Sequence, residues 1–468
     1  MSFLKSIQEA AKHFKELPST QPIRIISNKD TDGITAAAIL IAALQKEQKP
    51  NVVTLIKQLT EDYLDTLKQE QYTTYFFIDM GASYLDIISK KLPEKNIFVL
   101  DHHYPDTFVA TGTKIMHLNP HLHDIDGTKN ISASGVTYFF AKALNEKNTK
   151  LAHLAIIGSI GDMQEDIGFT GFNADILQDA EKAKTITVTK GLRLFGIHTK
   201  PLYKFLMNTT NPYIPTVTGN EKGSLHFLQN IGINPKIGSK FKWASELPEK
   251  DLENLYNAIM AKQPYHQKEP LPKGPLYFLP QEKHTSPTYD AAEYSTLINA
   301  CGKMGQPTLG IGVCLGDEKL KEKALLLLQQ YHNEIITCMS WYHKNKGTEH
   351  IKETENYIII NAENSIRDGL IGTLVSMISK SHLYPEGTVL IGLATMLSDE
   401  IKVSMRICGF KETTMDLRKI VKLALKKTRG QGGGHRLAAG AILPAGKGKE
   451  FVETCTMLLE KALIEETV

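Results

Sequence analysis

The sequence has few cysteines and no long apolar run. The first feature argues against a disulfide-rich protein, and the second argues against a membrane-spanning one. Its five cysteines, Cys301, Cys314, Cys338, Cys408 and Cys455, show no C-x-x-C spacing, so we interpret them as buried free thiols in a reducing compartment. No apolar run approaches the ~18 residues of a membrane-spanning helix. The N-terminal stretch is amphipathic and lacks the apolar centre of a signal peptide. The sequence therefore predicts a cytoplasmic protein without a membrane partner.

An excess of charge of one sign is also missing. The 54 Lys and Arg residues nearly balance the 51 Asp and Glu residues, which gives a net charge of +3. Any binding of nucleic acid must therefore come from a local basic groove. At 468 residues, with 42% hydrophobic and 22% charged residues, the chain is an ordinary globular protein that is too long for one core. We expect two or three domains.

Three apolar runs in the N-terminal part of the chain end in acids. Such runs, separated by segments of helical composition, predict an α/β fold with a parallel sheet. Ligands bind beyond the carboxyl ends of the strands in open sheets of this kind. That rule places one group of side chains on a single rim: Asp30, Asp32, Asp79, Asp101, His102 and His103.

Four acids on one rim repel each other unless cations neutralise them. A set of carboxylates with one or two imidazoles suits Mn²⁺ or Mg²⁺, and we predict two such ions. Asn28 adds an amide oxygen before Asp30, and Asp162 follows an apolar helix. Each group also has an interpretation without a metal ion. Asp30 is suited to capping a helix, Asp162 to a turn at the end of a helix, and the two histidines to an exposed loop.

Other segments carry weaker predictions. Residues 116–127 are rich in His and Asp, and we favour a turn-rich loop over a second metal site. Residues 131–137 open a helix whose free N–H groups are suited to holding an anion. We further predict a basic helix over 182–200, a strand over 308–315 and a long helix over 318–344.

Residues 346–468 predict a second α/β unit with strands at 356–361, 388–395 and 401–408. The strand at 401–408 presents Ser404 and Arg406 on one face. The run Gly432-Gly433-Gly434-His435 lets the backbone approach a ligand closely, and His435 can donate to a phosphate. The alternative is a flexible turn that carries one histidine.

The motifs together resemble a known family. Asp30-Thr31-Asp32-Gly33, Asp79-Met80-Gly81, Asp101-His102-His103 and Gly158-Ser159-Ile160-Gly161-Asp162 resemble the ordered motifs of the DHH phosphoesterase superfamily. Gly432–His435 with Ser404-Met405-Arg406 resembles its C-terminal DHHA1 domain. Asn119-Pro120, Asp126-Gly127, residues 132–135, residues 191–196 and residues 297–302 are similar to archaeal RecJ-type nucleases. Those nucleases include an exonuclease associated with the GINS complex and are related to Cdc45.

The resemblance implies four regions and a cleft between the two main domains. These are a DHH catalytic domain (1–205), an inserted domain (206–310), a connecting helix (311–345) and a DHHA1 substrate-binding domain (346–468). The implied activity is two-metal, single-strand-specific exonucleolytic hydrolysis of DNA or RNA in replication or repair. Mn²⁺ is the preferred ion and Mg²⁺ the second choice. The implied partners are a nucleic acid strand, the GINS complex and a replicative helicase.

The resemblance also implies residue roles. Asp79 bridges the ions, Asn28 and Asp30 hold one of them, and Asp32, His102 and Asp162 hold the other. His103 contacts the scissile phosphate and Asp101 orients a histidine. Ser404, Arg406, Gly432, Gly433, Gly434 and His435 clamp the strand. The departure is Asn28, where the family often has His or Asp, and this predicts a loosely held ion. The alternatives are a Cdc45-like scaffold and a phosphodiesterase for small nucleotides.

Overall fold

The computed structural model describes residues 2–18, 21–105, 114–165, 168–210, 212–262, 272–409, 415–434 and 436–467. His435 lies outside these residues. The chain folds into two compact units, residues 1–199 with 272–329 and residues 200–271 with 330–468. Within the described residues, no helix is both long enough and apolar enough to cross a membrane. All five cysteines are free thiols, four of them buried, as predicted.

Up to Lys262, the described residues form ten α-helices and eight strands, besides short 3-10 helices. In chain order these are α1 (Phe3–Glu16), β1 (Ile23–Asn28), α2 (Thr31–Lys46), β2 (Asn51–Ile56), α3 (Glu61–Lys68), β3 (Thr74–Ile78), α4 (Leu85–Lys91), β4 (Asn96–Leu100), β5 (Ile115–Leu118), α5 (Ala133–Leu144), α6 (Ala152–Gly161), α7 (Gly171–Lys182), β6 (Thr187–Leu192), α8 (Leu202–Asn208), α9 (Glu221–Asn230), β7 (Lys236–Ile237), β8 (Lys240–Phe241) and α10 (Glu249–Met260).

The rest of the chain begins with a strand that pairs back to β6. In chain order the elements are β9 (Lys273–Phe278), α11 (Ala291–Lys303), α12 (Pro307–Cys314), α13 (Glu318–Asn345), β10 (Ile351–Glu353), β11 (Tyr357–Asn361), α14 (Asp368–Lys380), β12 (Val389–Thr395), β13 (Ile401–Ile407), α15 (Leu417–Thr428), β14 (Gln431–Gly434), β15 (Ala438–Leu443) and α16 (Gly448–Thr467).

A five-stranded parallel sheet forms the centre of the first unit, in the order β2-β1-β3-β4-β5. Ser27 of β1 is level with Ile78 of β3, and Ile78 is level with Leu100 of β4. The residues after these strands therefore emerge at one edge, as the sequence predicts. Packing of Phe76 against Phe98, with ring centroids 4.7 Å apart, holds the two central strands together beneath α1.

The second unit contains a six-stranded mixed sheet in the order β10-β11-β12-β13-β15-β14. Strands β11 and β12 are parallel, and the other neighbouring pairs are antiparallel. Helix α14 covers one face, where a Cβ at Gly392 would lie 2.4 Å from Val375. The opposite face packs its apolar side chains against α15 and α16. The α/β class and the three strands predicted for this region are confirmed.

Three local predictions are wrong. Residues 187–192 form strand β6 and not a helix, since α7 ends at Lys182 and β-branched residues favour the extended conformation. Residues 307–314 form α12 and not a strand. A short apolar run is ambiguous by pattern, and here Pro307 occupies the first turn of a buried helix. Residues 116–118, the start of the segment predicted to be a turn-rich loop, belong to the fifth strand, β5.

Candidate metal centre

Asp79 leaves strand β3 in a strained conformation. Its φ of 57° lies in the left-handed region, which costs a non-glycine residue ~1–3 kcal/mol. Gly81 follows at φ 110° and turns the chain so that the Ala82 N–H donates to Asp101. The strain aims the Asp79 carboxylate, which is 3% exposed, along the edge of the sheet. Strain of this kind concentrates at functional sites.

His102 stands among three carboxylates. Its Nδ1–H donates to the carbonyl oxygen of Gly127 at 2.7 Å, which directs Nε2 toward the acids. Burial acts to lower the pKa of His102, but Asp79 and Asp162 outweigh it and raise that pKa well above its usual range, so Nε2 must exchange a proton for a metal ion. Nε2 lies 3.1 Å from Asp162 Oδ2, 3.4 Å from Asp79 Oδ1 and 3.9 Å from Asp32 Oδ2. A ring held at Nδ1 by a backbone carbonyl, with Nε2 directed at acids, is the usual arrangement of a metal-binding imidazole.

Asp32 lies at the N-terminus of α5. Its two oxygens accept the backbone N–H groups of Ala133 at 2.7 Å and Ser134 at 3.0 Å. The sequence predicts that these N–H groups hold an anion, and the anion that they hold is the Asp32 carboxylate. The helix dipole and the two donors stabilise the negative charge of a side chain that is 1% exposed.

Asn28 and Asp30 form a pair at the start of α2. Asp30 caps the helix by accepting the Gly33 N–H at 3.1 Å, and Asn28 Nδ2 donates to its other oxygen at 2.8 Å. The amide oxygen of Asn28 accepts the Lys29 N–H at 2.8 Å. Gly33 is required because a Cβ there would lie 2.3 Å from the carbonyl oxygen of Asn28. Asp30 Oδ1 therefore makes the predicted capping contact, while Oδ2 is bonded to Asn28.

Asp101 and His103 form a second pair. Asp101 Oδ1 accepts from His103 Nδ1 at 2.8 Å and from two backbone N–H groups. Burial acts to lower the pKa of His103, but the bond to Asp101 outweighs it and raises that pKa to about 9. The metal-free chain therefore favours the cationic form of His103 at neutral pH, and the ring is 45% exposed. Asp101 holds an imidazole, which is the role expected for it.

The donor set fits divalent cations. Asp79 Oδ1 and His102 Nε2 are buried atoms without a hydrogen-bond partner of good geometry. Two groups of potential ligand atoms share His102: one adds Asp79 and His103, and the other adds Asp32 and Asp162. Buried polar atoms normally have partners, so two that converge on one space indicate a missing ligand. An oxygen-rich set with an imidazole suits Mn²⁺ or Mg²⁺.

In the metal-free chain, bound protons neutralise part of the negative charge of the acid cluster. Burial, followed by the charge of Asp30, raises the pKa of Asp79 well above its usual range. Burial and the charge of Asp32 raise the pKa of Asp162 to about 7. Burial also raises the pKa of Asp30. Each of these carboxyls must lose its proton before it binds a metal ion.

We therefore expect the affinity for Mn²⁺ to rise with pH. Because the pKa of Asp162 is raised from 3.8 to about 7, the metal-free fold binds a proton there and is stabilised by it at low pH. That stability is lost as pH rises through the folded-state pKa, while binding of the cation strengthens over the same range. Calorimetric Mn²⁺ titrations between about pH 5.5 and 7.5 measure this dependence. An affinity independent of pH in wild type would contradict it, and Asp162→Asn is expected to flatten it.

A buried polar network that sequence reasoning missed supports the site from behind. Gln164 Nε2 donates at 2.9 Å to the same Gly127 oxygen that orients His102, and Gln164 Oε1 accepts from Asn173 at 2.8 Å. Asn173 accepts from Ser159 at 3.0 Å, and hydroxyl contacts lead on through Ser132 to Ser134. The backbone of Ser134 binds Asp32. The network thus joins the supports of two predicted ligands.

Asn173→Leu is expected to unfold more easily and to bind Mn²⁺ less tightly. The substitution leaves Gln164 Oε1 and Ser159 Oγ without this partner, which costs ~1–3 kcal/mol for each buried group. Disturbing the atoms behind metal ligands typically weakens metal affinity by about 10–100-fold. Urea unfolding and Mn²⁺ titration check both effects. The control is Asn257→Leu on the exposed face of α10, and equal behaviour of the two variants would contradict the role of the network.

The residues predicted to clamp the strand lie in the second unit. Ser404 is 5% exposed and faces α14. Arg406 lies on the same face of β13, where its Nη1 donates to the Met405 oxygen at 2.8 Å. Gly432, Gly433 and Gly434 form the exposed edge strand β14. Lys380, at the end of α14, is an additional cation beside Arg406: burial, followed by the charge of Arg406, lowers its pKa.

Comparison with protein families matches three segments of the chain to three domain families. Residues 22–159 match the N-terminal domain of the DHH family, residues 194–267 match the DHH-CID domain, and residues 355–461 match the DHHA1 domain. An uncharacterised protein of Methanocaldococcus jannaschii is 28% identical over 473 residues, covering 99% of each chain.

Two solved structures are similar in fold. CDC45 from Entamoeba histolytica gives a TM-score of 0.63 at 13% identity, with 97% of each chain covered. RecJ from Thermus thermophilus, in complex with Mn²⁺, gives 0.60 at 14% identity. That match covers 98% of this chain and 55% of RecJ, so the chain spans about half the length of that protein.

Proposed function

Since the chain belongs to the DHH/DHHA1 superfamily of phosphoesterases, we propose that it is a metal-dependent exonuclease acting on single-stranded DNA or RNA. The observation that carries the proposal is the pair of buried atoms without partners, Asp79 Oδ1 and His102 Nε2, among further acids. A phosphodiester is an anion that acids alone repel. Cations held by these acids would attract the phosphodiester and promote its hydrolysis.

The proposed centre holds two divalent cations between six side chains. Asn28 and Asp30 would hold one cation, Asp32, His102 and Asp162 would hold the other, and Asp79 would serve both. When bound, the cations activate water and neutralise the charge that builds up on the phosphate. The chain fixes the tautomer of His102 through Gly127 and the charge of Asp32 through the N-terminus of α5. These supports hold the ligands in place before a metal ion arrives.

His103 and Asp101 are proposed to act on the phosphate. Asp101 keeps His103 protonated and holds its Nδ1. The half-exposed ring is then available to donate from its other nitrogen to a phosphate oxygen, with a positive charge that stabilises the developing negative charge. In the second unit, Ser404, Arg406, the three glycines of β14 and His435 are proposed to bind further phosphates of the strand.

A substrate panel tests the proposal. With Mn²⁺ present, the chain is incubated with a single strand, a duplex of the same sequence, a dinucleotide and a cyclic dinucleotide. The proposal predicts the fastest hydrolysis for the single strand, because bases and phosphates beyond the scissile bond add contacts. Faster hydrolysis of either dinucleotide than of the single strand would contradict the exonuclease and favour the alternative, a phosphodiesterase for small nucleotides.

The fold similarity to CDC45 favours a second candidate, a replisome scaffold that binds GINS with weak or lost catalysis. The acids that are present, Asp30, Asp32, Asp79 and Asp162, argue for retained chemistry. A binding experiment separates the two functions. Purified GINS subunits are passed over the immobilised wild-type chain and over Asp79→Asn, which serves as a catalytically weakened comparison. Binding of GINS that survives in the variant supports a scaffold role, and nuclease activity in wild type supports the enzyme.

A further inference from the structure

Helix α15 presents an exposed face made almost entirely of cations. The helix follows the sequence LRKIVKLALKKT from residue 417 to residue 428. Leu417, Ile420, Val421 and Ala424 are buried against the sheet. The exposed positions carry no acid, and their side chains are Arg418, Lys419, Lys422, Leu423, Lys426 and Lys427.

This charge is concentrated well beyond the average of the chain. The whole chain has 54 Lys and Arg against 51 Asp and Glu. Without the five cations of α15, the remaining 456 residues have 49 basic against 51 acidic residues and are slightly acidic. A single twelve-residue helix therefore supplies more than the entire positive excess.

Folding alone does not account for the cations in the first half of α15. Lys426 and Lys427 occupy the last turn, where the helix dipole favours positive charge. Lys419 lies in the first turn, where the dipole opposes positive charge. Lys422 lies in the middle of the helix, where the dipole does not favour a cation, and cations three or four residues apart on a helix repel each other. Arg418 is paired with the capping acid Asp416 at 3.2 Å. An external polyanion would offset the repulsion along the rest of the face.

The α15 face is distinct from the part of the predicted phosphate clamp that Ser404 and Arg406 form. Val403 and Met405 of β13 point toward α15, whereas Ser404 points toward α14 on the other side of the sheet. Arg406 follows the same alternation as Ser404. A strand held at Ser404 and Arg406 therefore meets a different surface from one held at α15.

We propose that the α15 face binds the sugar–phosphate backbone of nucleic acid as a second contact outside the clamp. The chemistry favours nucleic acid over an acidic protein. Protein interfaces have cores depleted in lysine and enriched in aromatic side chains, while interfaces with nucleic acid are strongly cationic. Leu423 is the one apolar side chain exposed on α15. Lys419, Lys422 and Lys426 follow one line of ~10 Å along the helix. This inference rests on the proposed function, because the proposed nuclease activity is what identifies the polyanion as nucleic acid.

The test is a salt titration of binding with three forms of the full chain. A fluorescent single strand of about 30 nucleotides is bound in EDTA, so that cleavage does not interfere. The first variant carries Lys419→Gln, Lys422→Gln and Lys426→Gln. The control carries Lys319→Gln, Lys323→Gln and Lys344→Gln, exposed positions of α13 that change the net charge equally. Circular dichroism confirms that both variants are folded.

The expected result is a weaker salt dependence in the α15 variant alone. Each lost phosphate contact on a single strand lowers the slope of log K against log salt by about 0.7, so three lost contacts lower it by about 2. Hydrolysis of a dinucleotide, whose single phosphodiester leaves no further backbone phosphate for a second contact, is expected to stay at the wild-type rate. Equal slopes in the two variants would overturn the proposal, and so would wild-type binding to polyglutamate as tight as binding to the strand. Binding that depends on α15 without any hydrolysis would leave this inference standing and overturn the proposed nuclease.

Discussion

Asp79→Asn is expected to lose hydrolysis by about a thousand-fold or more while keeping its fold. The substitution preserves the shape of the side chain and removes the charge at the position proposed to lie between both cations. Mn²⁺ titration should show that binding is weakened together with the rate. The loss of both quantities in a folded protein is the behaviour of a metal ligand.

Stability gives this prediction a second, independent readout. Burial raises the pKa of the Asp79 carboxyl, and repulsion from the neighbouring charge of Asp30 raises it further. Asparagine is also among the residues that best tolerate the positive φ found here. The metal-free variant is therefore expected to unfold at the same urea concentration as wild type or at a higher one, particularly above neutral pH.

The matched control is Asp86→Asn, which changes an exposed acid at the start of α4. It removes the same charge from the same domain and should leave the rate, the Mn²⁺ affinity and the stability at wild-type values. If Asp79→Asn hydrolysed substrate as fast as this control, Asp79 would have no place in the centre.

Gly158→Ala is expected to disable the site without removing any predicted ligand. A Cβ at position 158 would lie 2.2 Å from Ser134 Oγ, 2.5 Å from Thr35 Oγ1 and 2.7 Å from Asp32 Oδ1. The interior of α6 would otherwise favour alanine over glycine by ~1 kcal/mol. Here the clash must displace Asp32 from its donors on α5. We expect a loss of ~1–3 kcal/mol in stability and a marked loss of Mn²⁺ affinity.

Gly372→Ala in α14 is the control for this prediction. A Cβ there meets Ser404 Oγ at 3.5 Å, an ordinary contact, so the substitution should stabilise the helix slightly. Urea unfolding and Mn²⁺ titration of both variants measure the difference. Wild-type Mn²⁺ affinity in Gly158→Ala would show that the position of Asp32 does not matter to the centre.

The edge of the parallel sheet was predictable because strand direction and strand ends follow from local patterns. Apolar runs that end at Asn28, Asp79 and Asp101 determine where these side chains emerge. A parallel sheet then brings them together without further information. The same reasoning failed for 308–315, where a short apolar run fits both a strand and a buried helix, and tertiary packing selects the helix.

The supporting network was not predictable from residue types. Gln164 and Asn173 are common polar residues with no spacing that marks them, and their roles depend on the way α6 and α7 pack behind His102. Likewise, the sequence predicts an anion at the start of α5 but does not reveal that Asp32, about a hundred residues earlier in the chain, supplies it. Contacts between residues so distant in sequence follow from the fold.

An end-labelled single strand incubated with Mn²⁺ tests the central claim most directly. Wild type is expected to shorten the strand progressively from one end, releasing small products from the first time point, whereas Asp79→Asn is expected to leave it intact. Cleavage at internal positions alone would contradict the exonuclease, and cleavage by Asp79→Asn at the wild-type rate would contradict the two-metal centre.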